Sequence, residues 1–319
     1  MSEVLAPAGT TPNTRRPQRA VHGILLLDKP PDISSNRALQ VVRRALMAAK
    51  GGHTGNLDVA ASGLLPLCFG EATKVCGFLL DADKRYQAVV RLGVVTASGD
   101  AEGEVLSRSD DLPLAAAQVE EALTRLRGPQ MQVPPMYSAL KRDGQPLYRL
   151  ARQGIEVERE ARPVTIHRLE MLAWEGETVV LDVSCSKGTY IRSLAMSLGE
   201  ILGCGASLAA LRRLEAGPYD ITHAHGLELF EGGRHPPEAL EELLLPMDSA
   251  LQVFPRIDLD EAGRQKVRQG QSLSLAEEQC VVGTARLYGP AGEFLGMGEG
   301  DISGHLRPRR LMATGKDAE

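Results

Sequence analysis

The chain has 319 residues, 43% of them hydrophobic and 4% aromatic, with a net charge of −5. That length supports one large domain plus a small one, and no apolar run approaches the roughly twenty residues of a membrane helix. The acidic balance argues against a protein that holds nucleic acid by bulk charge alone, and five widely spaced cysteines without a CxxC pair argue against a structural zinc or a disulfide framework.

The first twenty residues, MSEVLAPAGTTPNTRRPQRA, lack the apolar core of a secretion signal and read as a flexible tail. Gly23 to Asp28 is an apolar strand stopped by Pro30 and Pro31; Ser34 or Ser35 then caps a helix whose apolar stripe is Ala38, Val41, Val42, Ala45 and Leu46. Tyr86, Ala88, Val90, Leu92 and Val94 alternate with Gln87 and Arg91, which predicts a strand with one buried face. Leu114 to Arg127 reads as a helix ended by Gly128 and Pro129. A Pro/Gly-punctuated loop with Tyr137, Lys141 and Arg142 follows, then a short basic helix from Tyr148 to Gln153. Val164 to Leu172 and Thr178 to Cys185 read as paired strands, and Thr189 to Leu202 as a helix closed by Gly203. Past a helical stretch from Pro236 to Leu245, the character changes to one short helix, Asp260 to Gln269, and short strands with turns at Gly289-Pro290 and Gly292. Strands mixed with helices, without a regular βαβ alternation, give an α+β class with antiparallel sheets.

Between Gly51 and Gly70 the chain runs GGHTGNLDVAASGLLPLCFG, where Asp58 and His53 are the groups, besides the Cys68 thiol, that can titrate usefully. Gly51, Gly52 and Gly55 allow a ligand to approach the main chain closely. A carboxylate there, backed by Leu64, Leu65, Pro66 and Leu67, must be paired, protonated or put to use. The plainer reading is an Asp that braces its own turn, and spacing alone favours it.

The segment HTGNLDVAASGLLPLCFGEATK, His53 to Lys74, resembles the catalytic motif of the bacterial tRNA pseudouridine synthase B family. Further blocks resemble that family in the same order: GILLLDKPPDISSN at Gly23 to Asn36, DKRYQAVVRLG at Asp83 to Gly93 and PPMYSALK at Pro134 to Lys141. YRLARQGIEVEREAR at Tyr148 to Arg162, CSKGTYIRSL at Cys185 to Leu194 and LGCGASLAALRRL at Leu202 to Leu214 complete the series. The resemblance implies a pseudouridine synthase fold, a mixed and mainly antiparallel sheet with flanking helices, over 21–245, after a tail at 1–20. A small β-rich, PUA-like RNA-binding module at 246–316 completes the expected division.

It also implies roles for residues. Asp58 matches the catalytic aspartate, which attacks C1′ or C6 of uridine or removes the 2′ proton. Arg192 matches the arginine paired with it, expected to hold the carboxylate charged. Tyr86 matches the aromatic stacked on the flipped base; by itself it fits an ordinary strand core residue equally well. Tyr190 and Leu211 match pocket-lining residues, and His53 a histidine that fills the gap left by the base. Lys29 and Lys74 match basic positions beside the pocket that contact phosphate or support the motif. Two departures stand out. Where the family has Pro after the aspartate and a small residue two before it, this chain has Val59 and Asn56, which predicts a less rigid loop.

The activity implied is isomerisation of uridine 55 in the T loop of tRNA to pseudouridine, with no metal or organic cofactor. The implied partner is the T stem-loop of tRNA, without a membrane or an obligate protein partner, for a cytoplasmic monomer. Six basic clusters suit a phosphate-facing surface: Arg43 with Arg44, Lys84 with Arg85, Lys141 with Arg142, Arg149 with Arg152, Arg212 with Arg213, and Arg307 through Arg310. The competing readings are a non-catalytic RNA-binding or RNA-folding protein and a sister synthase acting on ribosomal RNA. Glycoside hydrolysis is disfavoured, because it needs two carboxylates within about 5–10 Å and the motif supplies Asp58 with Glu71 beyond an apolar run.

Overall fold

The structure, a computed structural model, describes residues 18–113, 115–142, 144–276 and 279–313. The expected tail up to residue 17, and residues 314–316 of the expected C-terminal module, lie outside them. A ten-stranded mixed sheet dominates. Its order is His225–Gly226, Gly23–Lys29, Ser62–Phe69, Ala206–Ala216, Lys84–Leu92, Thr178–Cys185, Arg162–Glu175 and Gly128–Gln132. Gly51–His53 pairs beside Ser62–Phe69, and Tyr219–Asp220 beside Ala206–Ala216. The pairings are antiparallel except Leu27 with His225 and Arg212–Arg213 with Ser62–Gly63. The class expected from the sequence is therefore observed.

Local sequence explains the central strands. Seven of the eight residues of Ser62–Phe69 are buried, as a strand covered on both faces requires. In Lys84–Leu92 the alternation puts Ala88, Val90 and Leu92 at 0% exposure. They pack with Leu194, Ala195 and Leu198 of the helix Ile191–Leu202. Gly203 ends that helix with φ 79°, the left-handed cap expected of it. Gly199 lies so close to the next strand that a Cβ there would meet the Ala206 nitrogen at 2.1 Å. On the other face, the helix Ser35–Ala45 lays Ala38, Leu39 and Val42 on Leu25, Leu65 and Leu67. The Ser34 hydroxyl caps it by accepting from the Arg37 N–H at 3.2 Å.

Element ends shift from their sequence-based bounds. The expected helix Leu114 to Arg127 is Ala116–Thr124, and Tyr148 to Gln153 is Leu147–Ala151. The stretch from Pro236 to Leu245 is helical over Pro237–Glu241 alone, because Leu245 leaves the helix to exchange backbone bonds with Ile24 at 2.8 and 3.0 Å. No helix among the described residues is long and apolar enough to cross a membrane.

A five-stranded sheet follows in the order Arg256–Asp258, Gly283–Tyr288, Phe294–Gly300, His305–Leu311 and Leu273–Ser274. The helix Glu261–Arg268, capped by Asp260, covers its core of Ile257, Val267, Leu287 and Leu306. This unit shares an apolar seam with the large sheet, where Tyr288, Phe294 and Met297 meet Ile24, Val75 and Leu79. Phe78 and Phe254 pack edge to face there, 5.1 Å between centroids. Polar bonds close the seam: Lys74 Nζ donates to the Leu311 carbonyl at 2.8 Å, and the Ala313 N–H to Glu71 Oε2 at 2.6 Å.

Candidate active site

Asp58 stands on the loop that joins Gly51–His53 to Ser62–Phe69, over the middle of the sheet. Buried groups pin this loop. The Ser35 hydroxyl donates to the Leu57 carbonyl at 3.0 Å and accepts from its N–H at 2.9 Å. The Val59 carbonyl accepts from the Asp32 N–H at 2.9 Å and from Lys29 Nζ at 3.2 Å. The Ala61 N–H returns to the Asp58 carbonyl at 3.2 Å, and the Thr54 N–H bonds the Pro66 carbonyl at 3.1 Å. With Val59 in place of Pro, the loop is anchored through its carbonyls and through both backbone groups of Leu57.

Arg192 enters from the first turn of Ile191–Leu202 and is 5% exposed. Its Nη2 lies 3.1 Å from Asp58 Oδ2 and its Nη1 lies 3.4 Å from Asp100 Oδ2. Two carbonyls fix the guanidinium: Nη2 donates to Tyr137 at 2.7 Å and Nη1 to Ser98 at 3.2 Å. One planar cation therefore spans two carboxylates, which a lysine could not do. Burial pushes the Asp58 carboxyl above its ordinary pKa, Arg192 pulls it down, Asp100 adds to the rise, and the net direction is upward. Arg192 pairs with the carboxylate and favours its charged form as expected, while desolvation and the second carboxylate give a net rise that the sequence did not anticipate. The Asp58 side chain keeps 45% of its surface open toward the cavity, so water still reaches one edge.

That cavity holds about 290 Å3 and is walled by Asp58, Tyr86, Tyr190, Leu211, Arg192 and Arg213, among others. Tyr86 comes from Lys84–Leu92 and Leu211 from Ala206–Ala216, cross-strand neighbours of Ala88 and Arg213. Tyr190 is fixed by Gln132, which accepts from its backbone N–H at 2.7 Å and donates to its carbonyl at 3.1 Å. Burial raises both phenols, so both are neutral donors near neutral pH.

The remaining expected residues lie elsewhere. His53 ends its strand outside the cavity wall. Its buried Nδ1 has no hydrogen-bond partner among the described residues, and burial together with Arg213 lowers its pKa. Lys29 is 0% exposed and donates to the carbonyls of Pro30, Ile33 and Val59. Desolvation brings it down to about 8. Of its two expected roles, loop support fits and phosphate contact does not. Lys74 is bound to Glu71 and to the Leu311 carbonyl, and it lines a different, roomier cavity at the seam.

Reading by residue type missed Asp100, and it assigned Lys84 and Arg213 to the wrong place. Lys84 is 8% exposed, with Nζ on the carbonyls of Leu79, Leu80 and Ala82. Arg212 is tied to Asp28 at 2.7 and 3.0 Å, and Arg213 is 1% exposed. Arg85 is spent on Asp182 and Glu215. Neither the Lys84–Arg85 pair nor the Arg212–Arg213 pair is the solvated phosphate-facing cluster that was expected. For Arg213 a signal existed: two residues past Leu211, it lies on the same strand face. Asp100 had none, since its link to Arg192 spans distant segments.

Comparison with known proteins agrees along the chain. The family model described as TruB family pseudouridylate synthase (N terminal domain) matches residues 43–191. The tRNA pseudouridylate synthase B C-terminal domain matches 192–252, and Pseudouridine synthase II TruB, C-terminal, matches 255–312. The tRNA pseudouridine synthase B of Pseudomonas aeruginosa (strain UCBPP-PA14) is 52% identical over 305 residues, 94% of this chain and 99% of that protein. That of Azoarcus sp. (strain BH72) is 52% identical over 299 residues, 93% of this chain and 97% of that protein. Among solved structures, a Cbf5-Nop10-Gar1 complex gives a TM-score of 0.67 at 24% identity, covering 93% of this chain and 86% of that one. An H/ACA RNP bound to a substrate RNA containing 2′-deoxyuridine gives 0.68 at 20%, covering 96% and 94%. The two structures share the fold, and the sequence relatives share half of all residues from end to end: the chain belongs to the tRNA pseudouridine synthase B family.

Proposed function

We propose that this chain converts uridine 55 in the T loop of tRNA to pseudouridine, with Asp58 as the reacting carboxylate. The observation that carries the reading is the Asp58–Arg192 pair at 3.1 Å, opening into a cavity walled by Tyr86, Tyr190 and Leu211. The target base leaves its stack at a cost of a few kcal/mol, recovered by stacking and hydrogen bonds. Tyr86 gives it an aromatic face, and such stacking contributes about 1–3 kcal/mol. Asp58 then meets the ribose or the base as a nucleophile or a base. The C1′–N1 bond breaks, the base turns in the cavity, and C5 takes the place of N1. The C5 hydrogen then leaves as a proton and N1 takes one up, so the composition is unchanged and the isomerisation consumes no second substrate.

The division into a catalytic unit, 21–245, and a PUA-like RNA-binding unit, 246–316, belongs to the same reading, as do action in the cytoplasm and action as a monomer. Exposed Lys141, Arg142, Arg149, Arg152, Arg307, Arg309 and Arg310 supply cations for the RNA backbone. The same surface supports an additional role in tRNA folding. The test is incubation with an unmodified tRNA transcript, followed by chemical mapping of pseudouridine. Asp58→Asn should bind the transcript and form none; full activity in that variant would refute the assignment.

A further inference from the structure

Arg213 is a second guanidinium at the cavity, beside Arg192, and its neighbours are unusual for a buried cation. It is 1% exposed and lines the same cavity as Asp58. Its Nε donates to the Leu64 carbonyl at 2.6 Å and its Nη2 to the Gly55 carbonyl at 3.4 Å. No carboxylate lies within 4.0 Å of it among the described residues, whereas Arg192, across the same cavity, has two. Burial lowers the Lys29, Lys84 and His53 pKa values, and the nearby positive charge of Arg213 adds to each fall. A buried guanidinium without an anion is costly, and here it is kept beside the cavity that Asp58 lines.

We propose that Arg213 is a further catalytic residue, the group that receives the negative charge of the departing uracil. The inference rests on the proposed function. When Asp58 bonds C1′, or takes the 2′ proton, the C1′–N1 electron pair leaves with the base. One negative charge then disappears from Asp58 and one appears on the uracil ring, spread over N1 and its carbonyl oxygens. No oxidant, metal or external proton enters this step. Asp58, Arg192 and Arg213 line the same cavity, so the charge that leaves Asp58 passes to a ring held in a cavity that offers a second guanidinium. Because Arg213 is held by carbonyls and the neutral Tyr86 phenol rather than by a carboxylate, its attraction is not already neutralised when the ring becomes an anion. That is the condition for stabilising a transition state more than a ground state.

The competing explanation is that Arg213 only props the loop through Gly55. The experiment compares wild type, Arg213→Lys and Arg213→Met in single-turnover reactions on two tRNA transcripts, one with uridine and one with 5-fluorouridine. The fluorinated base departs more readily as an anion and needs less help. Loss of the N-glycosidic bond is followed for both. For the uridine transcript, Arg213→Met should lower the rate about 100-fold or more, the scale for losing one charge-stabilising donor, with Arg213→Lys between it and wild type. For the fluorinated transcript both deficits should shrink at least several-fold. Equal deficits on the two transcripts would overturn the proposal and leave Arg213 as a prop. Should Arg213→Met fail to fold, as judged by circular dichroism, the ratio for Arg213→Lys decides. Wild-type turnover of the uridine transcript tests the proposed function separately, since it does not depend on the variants.

Discussion

Arg192 joins Asp100 to Asp58: its two terminal nitrogens lie 3.4 Å from one carboxylate and 3.1 Å from the other. Asp100 therefore acts on Asp58 in two opposite ways. It orients the guanidinium that Asp58 needs, and as a like charge it raises the Asp58 pKa.

Asp100→Asn separates the two effects. Removing the like charge lowers the Asp58 pKa, so the acid limb of the pH–rate profile moves to lower pH. The plateau falls by about 10- to 100-fold, because Arg192 is less well oriented. Single-turnover rates between pH 4 and 8 read both. An acid limb moving upward would contradict the geometry.

Charge at Asp58 costs stability rather than adding it. Its folded pKa lies above the unfolded value of 3.8, so the folded state binds more protons just above pH 3.8, and stability falls as pH rises through that window. Asp58→Asn should leave Tm at neutral pH unchanged or slightly higher, while abolishing turnover. Thermal melts at pH 4 and pH 7 check this; a clear drop at pH 7 would mean that the ion pair with Arg192 stabilises the fold.

Lys29 sets an alkaline boundary. Its ammonium fills three carbonyls, and its folded pKa is about 8 against 10.5 unfolded. Between those values the unfolded chain binds more protons, so this group's contribution to stability improves as pH rises from about 8 toward 10.5. Activity moves the other way. A neutral amine has two N–H donors for three acceptors, so Val59 and the Asp58 loop loosen above about pH 8. Wild type should lose rate there, whereas Lys29→Met should show a lower plateau without that limb.

Ser35 is 0% exposed and satisfies both backbone groups of Leu57. Ser35→Ala leaves a buried N–H and a buried carbonyl unpaired, at about 1–3 kcal/mol each. Urea denaturation should show a loss on the order of 2 kcal/mol or more. The turnover rate should fall with tRNA affinity nearly unchanged, because the loop rather than the RNA-facing surface is disturbed.

Gly63 has φ +102°, and an added Cβ would stand 2.3 Å from the Arg213 carbonyl. Gly63→Ala must strain the backbone or push Arg213 away, at a cost on the order of 1–3 kcal/mol. The expected outcome is a lower Tm together with a loss of activity larger than the stability loss explains, measured well below the melting transition.

Much of this architecture was legible because local pattern and burial coincide. Thr178 to Cys185 was readable to the residue, since its apolar alternation meets sheet neighbours on both edges. The cap at Ser34 and the stop at Gly203 follow from backbone chemistry that a residue's type reveals. The site was legible in part. Asp58 drew notice as a lone carboxylate in an apolar segment, but spacing alone favoured a turn-bracing Asp, and the ordered motif blocks decided its role. Lys84 and Arg213 were misplaced, and Lys29 was given a phosphate contact it does not offer, because basic residues default to the surface in any composition-based reading. Each is buried by capping main-chain carbonyls, a partnership that leaves no mark in residue spacing. The short helix Pro237–Glu241 failed for a tertiary reason: the sheet edge at Ile24 claims Leu245.

The strand that carries the loop into the sheet, Ser62–Phe69, takes one neighbour from Gly23–Lys29 and has its other edge shared by Gly51–His53 and Arg212–Arg213. Those arginines leave the ribosome about 150 residues later, so half of the cleft's floor is missing through most of synthesis. Early segments can form a hairpin-like half, yet they cannot become competent until the late strand threads between them. Maturation of this enzyme should then be slow and nearly all-or-none, and chains that stop short of residue 212 should accumulate as inert, sticky fragments.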